Sequence, residues 1–255
     1  MQQVLDVLSG KGGIVFGSLA VLFLLERLFP ARQWIGGHWR VAKNFLLAAC
    51  NFVMGPLIVL PITFYAASHA LDWRPEVGSG LPGLLLDLLV LDCWIYWWHR
   101  VNHVVPFLWR FHEVHHLDEM LDTSSALRFH FGEVALSALV RAGVIFLLAM
   151  PLASVVAFEI VIALSALFHH SNLNLPARFE RLLSRVIVTP SIHWVHHHAV
   201  RGDTDSNYST VLSVWDRVFG SRSLTARSVD MRIGVEGRND LTALHLLAKP
   251  FKSSE

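Results

Sequence analysis

Long apolar runs alternate with polar segments along this chain, and five of the runs are long enough to form helices in lipid. The runs cover residues 14–29, 45–68, 81–98, 134–150 and 152–168. Asn51, Pro56 and Pro61 interrupt the second run and predict a kinked helix. The last two runs meet at Pro151 and predict a hairpin, and each has about 17 residues, near the lower limit for crossing a bilayer core of roughly 30 Å. The pattern predicts an all-α integral membrane protein with four or five transmembrane helices.

Charges between the runs predict the orientation of the chain. Basic residues at and after the end of the first run are Arg27, Arg32, Arg40 and Lys43, whereas Arg74 is the only one between the second and third runs. The positive-inside rule then places residues 99–131 and 170–255 in the cytoplasm. We therefore expect a helical cytoplasmic cap that carries every histidine cluster.

The same pattern divides the chain into three parts. We expect N-terminal membrane helices over residues 1–80, a catalytic domain of membrane helices and cap over 81–221, and a C-terminal tail over 222–255. The compact length and the lack of an organelle-retention signal favour a bacterial inner membrane.

Composition supports lipid as the solvent and narrows the function. Only 16% of residues are charged, against about 25% in a soluble domain. The net charge of +1 gives no electrostatic case for nucleic acid. The 15 histidines are the unusual feature, because histidine is costly in hydrocarbon and a surplus calls for ligands, protons or a water-filled cavity.

Histidines recur at helical spacing in three segments. They are 99–103 (HRVNH), 112–116 (HEVHH) and 193–197 (HWVHH). Positions i, i+3 and i+4 share a helix face, so the three segments present eight imidazoles. One metal ion needs three or four protein ligands, so eight suit two ions. Imidazole binds iron, copper and zinc alike, and ligand type alone does not identify the metal.

At these residues the chain resembles the sterol desaturase/fatty acid hydroxylase superfamily of membrane histidine-cluster di-iron oxygenases. The resemblance runs from residue 92 to residue 221. It rests on 92–100 (DCWIYWWHR), 109–116 (WRFHEVHH), 125–130 (SALRFH), 168–172 (FHHSN), 189–197 (TPSIHWVHH), 205–208 (DSNY) and 215–221 (WDRVFGS).

The resemblance implies a centre of two iron ions, O₂ as co-substrate and a lipid substrate, with hydroxylation and desaturation both open. Carried over by position, the implied ligands are His99, His103, His112, His115, His116, His130, His170, His193, His196 and His197. His169 stands at a position where histidine is unusual, and its role is open. Asp92, Asp205 and Asn207 are candidates for supporting the ligands by hydrogen bonds. No electron-transfer domain is recognisable, so we expect a separate cytochrome b5-, ferredoxin- or rubredoxin-like donor protein.

Two other functions fit parts of the pattern. His112-Glu113-x-x-His116 matches the motif of zinc metalloproteases, in which the glutamate is the general base. That function leaves the other histidine segments unexplained.

A non-catalytic metal-binding membrane protein is the second alternative. A metal carrier needs polar residues along several helices to form a path through the bilayer, and the apolar runs contain few.

Overall fold

The computed structural model describes residues 2–74 and 80–252, and within them the chain is helical. The α-helices are α1 (Gln2–Leu28), α2 (Gly37–Met54), α3 (Leu60–Ser68), α4 (Gly80–Val104), α5 (Pro106–His116), α6 (Phe131–Leu147), α7 (Leu152–His170), α8 (Ala177–Leu183), α9 (Pro190–His196), α10 (Arg201–Thr204), α11 (Val214–Val218) and α12 (Ala243–Ala248). One π-helical turn (Gly55–Val59) and two 3₁₀ turns (Thr123–Leu127 and Lys249–Phe251) complete the helical elements in these ranges.

Three helical segments in the described ranges are long and apolar enough to cross a membrane. They are Gly37–Ser68, Gly80–Val104 and Leu152–His170, and they confirm the prediction of a helical membrane protein. The first and fourth apolar runs form α1 and α6. The count of four or five spans stays a prediction.

The π-helical turn joins α2 to α3 at the place where the prolines predict an interruption. Pro56 lies within this turn and Pro61 lies near the start of α3. Proline has no N–H to donate and its ring displaces the carbonyl one turn earlier. The wider turn accommodates that displacement without ending the segment.

Apolar packing joins the membrane helices on the side away from lipid. The fully buried residues Leu91, Ile145, Val155 and Phe158 bring α4, α6 and α7 into one cluster, which Ala66 of α3 completes. Large apolar side chains on the outer surface remain exposed, among them Phe52 at 73%. Extensive exposed apolar surface of this kind marks a membrane or protein contact, as expected for a membrane protein.

Buried polar contacts fix the segment after α5 against the first two helices. Glu26 of α1 accepts hydrogen bonds from the backbone N–H of Thr123 and of Asn172, both at 2.9 Å. Arg40 of α2 pairs with Asp118 (2.8 Å) and with Asp122. A buried charge needs a partner. These contacts therefore fix the histidine-bearing ends of α5 and α7 relative to each other.

Candidate metal centre

Nine buried histidines meet where α4 and α7 end and where α5 and α9 pack beside them. They form two sets whose ligand atoms, within each set, lie within 4.8 Å of one another. The five-histidine set comprises His99, His103, His112, His116 and His196, and the four-histidine set comprises His115, His170, His193 and His197.

Helical spacing explains how neighbours in sequence are divided between the sets. Residues four apart on a helix share a face, and His112 and His116 both belong to the five-histidine set. His115, on the adjacent face of α5, belongs to the four-histidine set. At the end of α9, His193 and His197 enter the four-histidine set, whereas His196 enters the other.

The separations between ring nitrogens suit metal coordination. In the four-histidine set, His170 Nε2 lies 2.9 Å from His193 Nε2 and 3.0 Å from His115 Nε2. Imidazole nitrogens bind such ions at about 2.0–2.1 Å, so two ligands at right angles stand about 3 Å apart. The Nε2 atoms of His103, His196 and His197 are buried and have no hydrogen-bond partner among residues 2–74 and 80–252. Buried polar atoms are normally satisfied, and a bound cation would satisfy these.

Backbone carbonyls next to Asn207 orient two rings of the five-histidine set. His99 Nδ1 donates to the carbonyl of Tyr208 at 2.8 Å, and His196 Nδ1 donates to the carbonyl of Ser206 at 2.7 Å. Between them Asn207 has a φ of 53°, a left-handed conformation that asparagine tolerates better than most residues. With Nδ1 donating, the Nε2 atoms are left as ligands. Asn207 therefore supports the site through its backbone, and its side chain donates to the Ile192 carbonyl and accepts from the Ser223 N–H.

Two carboxylates hold further rings of the five-histidine set. His112 Nδ1 donates to Glu133 Oε1 at 2.8 Å, and His103 Nδ1 donates to Asp205 Oδ1 at 3.3 Å. Asp205 is among the supporting residues predicted from the sequence, and Glu133 is not. The available signal for Glu133 is its position in the first turn of α6, three residues after His130.

Asp92 supports the protein around the site through hydrogen bonds to residues outside the two histidine sets. Its carboxylate accepts from the backbone N–H of Val211 (3.3 Å) and Leu212 (3.0 Å) and from the indole N–H of Trp215 (2.8 Å). It therefore secures the segment that follows Tyr208 to α4.

Burial keeps the cap histidines neutral. Desolvation is the main cause that lowers the pKa of His115, His116, His193 and His197 well below 6.5, and it lowers the pKa of His196 to about 3. Neighbouring imidazoles add to the effect for most of these rings. Only neutral imidazole is a metal ligand, so these rings are ready to bind metal at pH 7.

His130 and His169 lie outside both sets. His130 caps the N-terminus of α6, where its Nδ1 accepts from Gly132 N–H at 2.9 Å and its Nε2 donates to the Leu247 carbonyl at 3.1 Å. Both ring nitrogens of His130 are thus occupied. His169 is buried, with its ring centre 4.0 Å from that of His193, and its Nδ1 has no hydrogen-bond partner within the described ranges. The structure brings together the other nine of the ten ligands implied by the resemblance.

An apolar cavity of about 260 Å³ borders both sets. Its histidine lining includes members of each set, and its apolar walls come from α4, α7 and the segment before α6: Ile95, Trp98, Phe129, Ile162, Ala163 and Ala166. Such a cavity can hold a hydrocarbon segment beside the ligand atoms and exclude water from it.

Glu113 is engaged by the C-terminal segment. Its carboxylate pairs with Lys249 and with Arg238, the latter at 3.0 Å. A protease glutamate must face the water on the metal, whereas this one is held by two cations. His112 and His116 share a set with three further histidines, which also exceeds the ligand count of a catalytic zinc site. The geometry argues against a zinc protease.

Comparison with known proteins matches the chain to one family model and to several hydroxylases and monooxygenases. The model of the fatty acid hydroxylase family matches residues 84–221. The ornithine lipid hydroxylase OlsE of Rhizobium tropici is 26% identical over 93% of this chain and 74% of that protein. The alkylglycerol monooxygenase of Homo sapiens is 32% identical over 52% of this chain, and the cholesterol 25-hydroxylase of Rattus norvegicus is 28% identical over 71%.

The aligned regions differ in how much of each relative they cover. The alignments span 29% of the alkylglycerol monooxygenase and 61% of the cholesterol 25-hydroxylase. No solved structure matches the chain.

Proposed function

The chain belongs to the fatty acid hydroxylase family, and from this premise we propose that it is an iron-dependent membrane enzyme that uses O₂ to hydroxylate a C–H bond of a lipid. One observation carries the proposal: two sets of buried histidines border a single apolar cavity. A site of this kind brings a hydrocarbon to a metal centre. The relatives are named as hydroxylases and a monooxygenase, which favours hydroxylation over desaturation.

Each set would hold one iron ion through its imidazoles. The five-histidine set has four rings oriented by outside acceptors: Tyr208, Asp205, Glu133 and Ser206. In the four-histidine set, His170 donates to the Ala166 carbonyl at 2.7 Å and His115 to the Arg128 carbonyl at 3.3 Å. When bound, two ferrous ions supply the capacity to reduce O₂, and the protein supplies orientation and exclusion of water.

The overall reaction requires partners outside the chain. Insertion of one oxygen atom converts R–H, O₂, two electrons and two protons into R–OH and water. The electrons would come from a separate donor protein. We place the site on the cytoplasmic side of a bacterial inner membrane, because the basic residues between the apolar runs favour that orientation.

The first test is the metal content and the activity of detergent-purified protein. Elemental analysis and Mössbauer spectroscopy of iron-57-enriched protein are expected to give close to two irons per chain. Mass spectrometry of lipids incubated with ¹⁸O₂ and a reductant system is expected to show a lipid that gains one ¹⁸O atom. His38→Ala is the matched control for the ligand variants His196→Ala and His197→Ala. It should keep its iron, because His38 is an exposed histidine outside both sets. One zinc per chain with no oxygenated lipid would refute the proposal.

A further inference from the structure

Apart from the histidines, three polar residues line the cavity: Asn102, Glu133 and Thr210. Asn102 of α4 and Glu133 of α6 line it together with the residues named above, and they are 1% and 5% exposed. Glu133 Oε1 accepts from His112 Nδ1 at 2.8 Å and from Asn102 Nδ2 at 3.4 Å. The remaining oxygens, Asn102 Oδ1 and Glu133 Oε2, are buried and have no hydrogen-bond partner in the described residues.

Burying these two acceptor oxygens without a donor costs free energy of folding. Loss of water from such an oxygen is offset only when a donor replaces the water, and native proteins keep few buried polar groups unpaired. The cavity that both residues line is where a ligand can reach them. Because both free atoms are acceptors, a saturated chain, an ether or an ester offers them nothing, whereas an N–H or O–H group does.

We propose that Asn102 and Glu133 recognise a hydrogen-bond donor, an amide N–H or a hydroxyl, on the lipid substrate. The inference rests on the proposed function for the identity of the cavity as the substrate site. Glu133 contacts His112 through one oxygen and has the other free for the donor. It therefore ties the position of the substrate's polar group to a ring of the five-histidine set, and the carbon a few bonds away lies beside the metal ligands. The substrate class is a lipid with such a donor close to the hydroxylated carbon.

The test compares two probes that differ in a single group. N-methylhexadecanamide has an N–H where methyl hexadecanoate has an ester oxygen, and the chains are otherwise alike. Equilibrium dialysis of the iron-loaded protein without an electron donor measures binding in the absence of turnover. Since a charge-assisted hydrogen bond is about twice as strong as a neutral one, we expect the wild-type protein to bind the amide roughly tenfold more tightly or better.

Two variants remove the acceptors in different ways. Asn102 has no hydrogen bond to a histidine among the described residues, so Asn102→Leu should keep the iron content. The preference for the amide should fall but stay above onefold, because Glu133 Oε2 remains as an acceptor. Glu133→Gln leaves an oxygen for His112 and turns the other arm into a donor, so the preference should reverse toward the ester. Ile162→Ala, in the apolar wall of the same cavity, should weaken both probes equally and keep their ratio.

Binding and product formation separate this inference from the proposed function. Equal binding of the two probes by the wild-type protein, failure of the amide to bind, or an unchanged ratio in both polar variants would overturn the inference, even if the chain hydroxylates lipids. The expected shifts in ratio without any ¹⁸O-labelled product would support donor recognition and count against hydroxylation.

Discussion

Replacing His196 or His197 tests whether the two histidine sets bind separate ions. The residues are adjacent in sequence, yet His196 belongs to the five-histidine set and His197 to the four-histidine set. The Nε2 atoms of both are buried and have no hydrogen-bond partner in the part of the chain that the structure describes. His196→Ala would leave four imidazoles in its set, and His197→Ala would leave three.

The structure sets the expected size of each effect. Removing only an outer partner of a ligand lowers metal affinity by about 10- to 100-fold, so removing the ligand itself should cost at least about 100-fold. Four remaining imidazoles still make a complete site, whereas three leave a coordination position open. We therefore expect the iron content of His197→Ala to fall toward one ion per chain in the presence of a chelator. His196→Ala should retain more than one iron per chain.

The assay is iron content after dialysis against a graded series of chelator concentrations. Mössbauer spectra of the iron that remains should differ between the two variants, because His197→Ala leaves the five-histidine set complete whereas His196→Ala changes the ligands of that set. Loss of both irons at the same chelator concentration in both variants would contradict the division into two sets. Retention of two irons in both would show that neither residue is a ligand.

Further predictions follow from contacts outside the two sets. His130→Ala should keep both irons and lower the melting temperature, since His130 caps α6. Glu113→Gln should keep iron and lipid hydroxylation but speed proteolysis of the C-terminal segment that it anchors; loss of the iron or of hydroxylation would contradict this. Glu159→Gln should destabilise the protein by roughly 3–5 kcal/mol in thermal or denaturant unfolding, because Lys11 (2.5 Å) and Arg141 (2.8 Å) lose their shared anion. Metal-free protein should lose thermal stability as pH falls from about 7.5 to about 5.5, since burial lowers the pKa of His196 to about 3 from 6.5 and the unfolded chain then binds more protons; a flat profile would contradict this.

Local spacing made the ligand segments predictable. Helical positions i, i+3 and i+4 place imidazoles on one side of a helix, and the segments at 99–103, 112–116 and 193–197 all contribute to the sets. The apolar runs predicted the membrane helices for the same reason, since length and composition are read along one element.

The position of His130 and the residues that support the histidine rings could not be predicted, because they depend on long-range contacts. The position of His130 depends on the Leu247 carbonyl, which lies in a C-terminal tail with no sequence signal of its own. The support that Asn207 gives depends on a backbone reversal that turns the carbonyls of Ser206 and Tyr208 toward two histidines. Glu133 reaches His112 from another helix, and no spacing rule relates the two.

The outer contacts also make the two sets unequal. Four of the five rings in the five-histidine set donate through Nδ1 to a fixed acceptor, whereas His193 Nδ1 and His197 Nδ1 have no partner in the described residues. An oriented ring loses less freedom when it binds metal, so the five-histidine set should hold its ion more tightly. The four-histidine set has fewer ligands and fewer restraints, yet it lines the same cavity. If each set binds an ion, we expect the histidines of the four-histidine set to be the less constrained of the two when a lipid occupies the cavity.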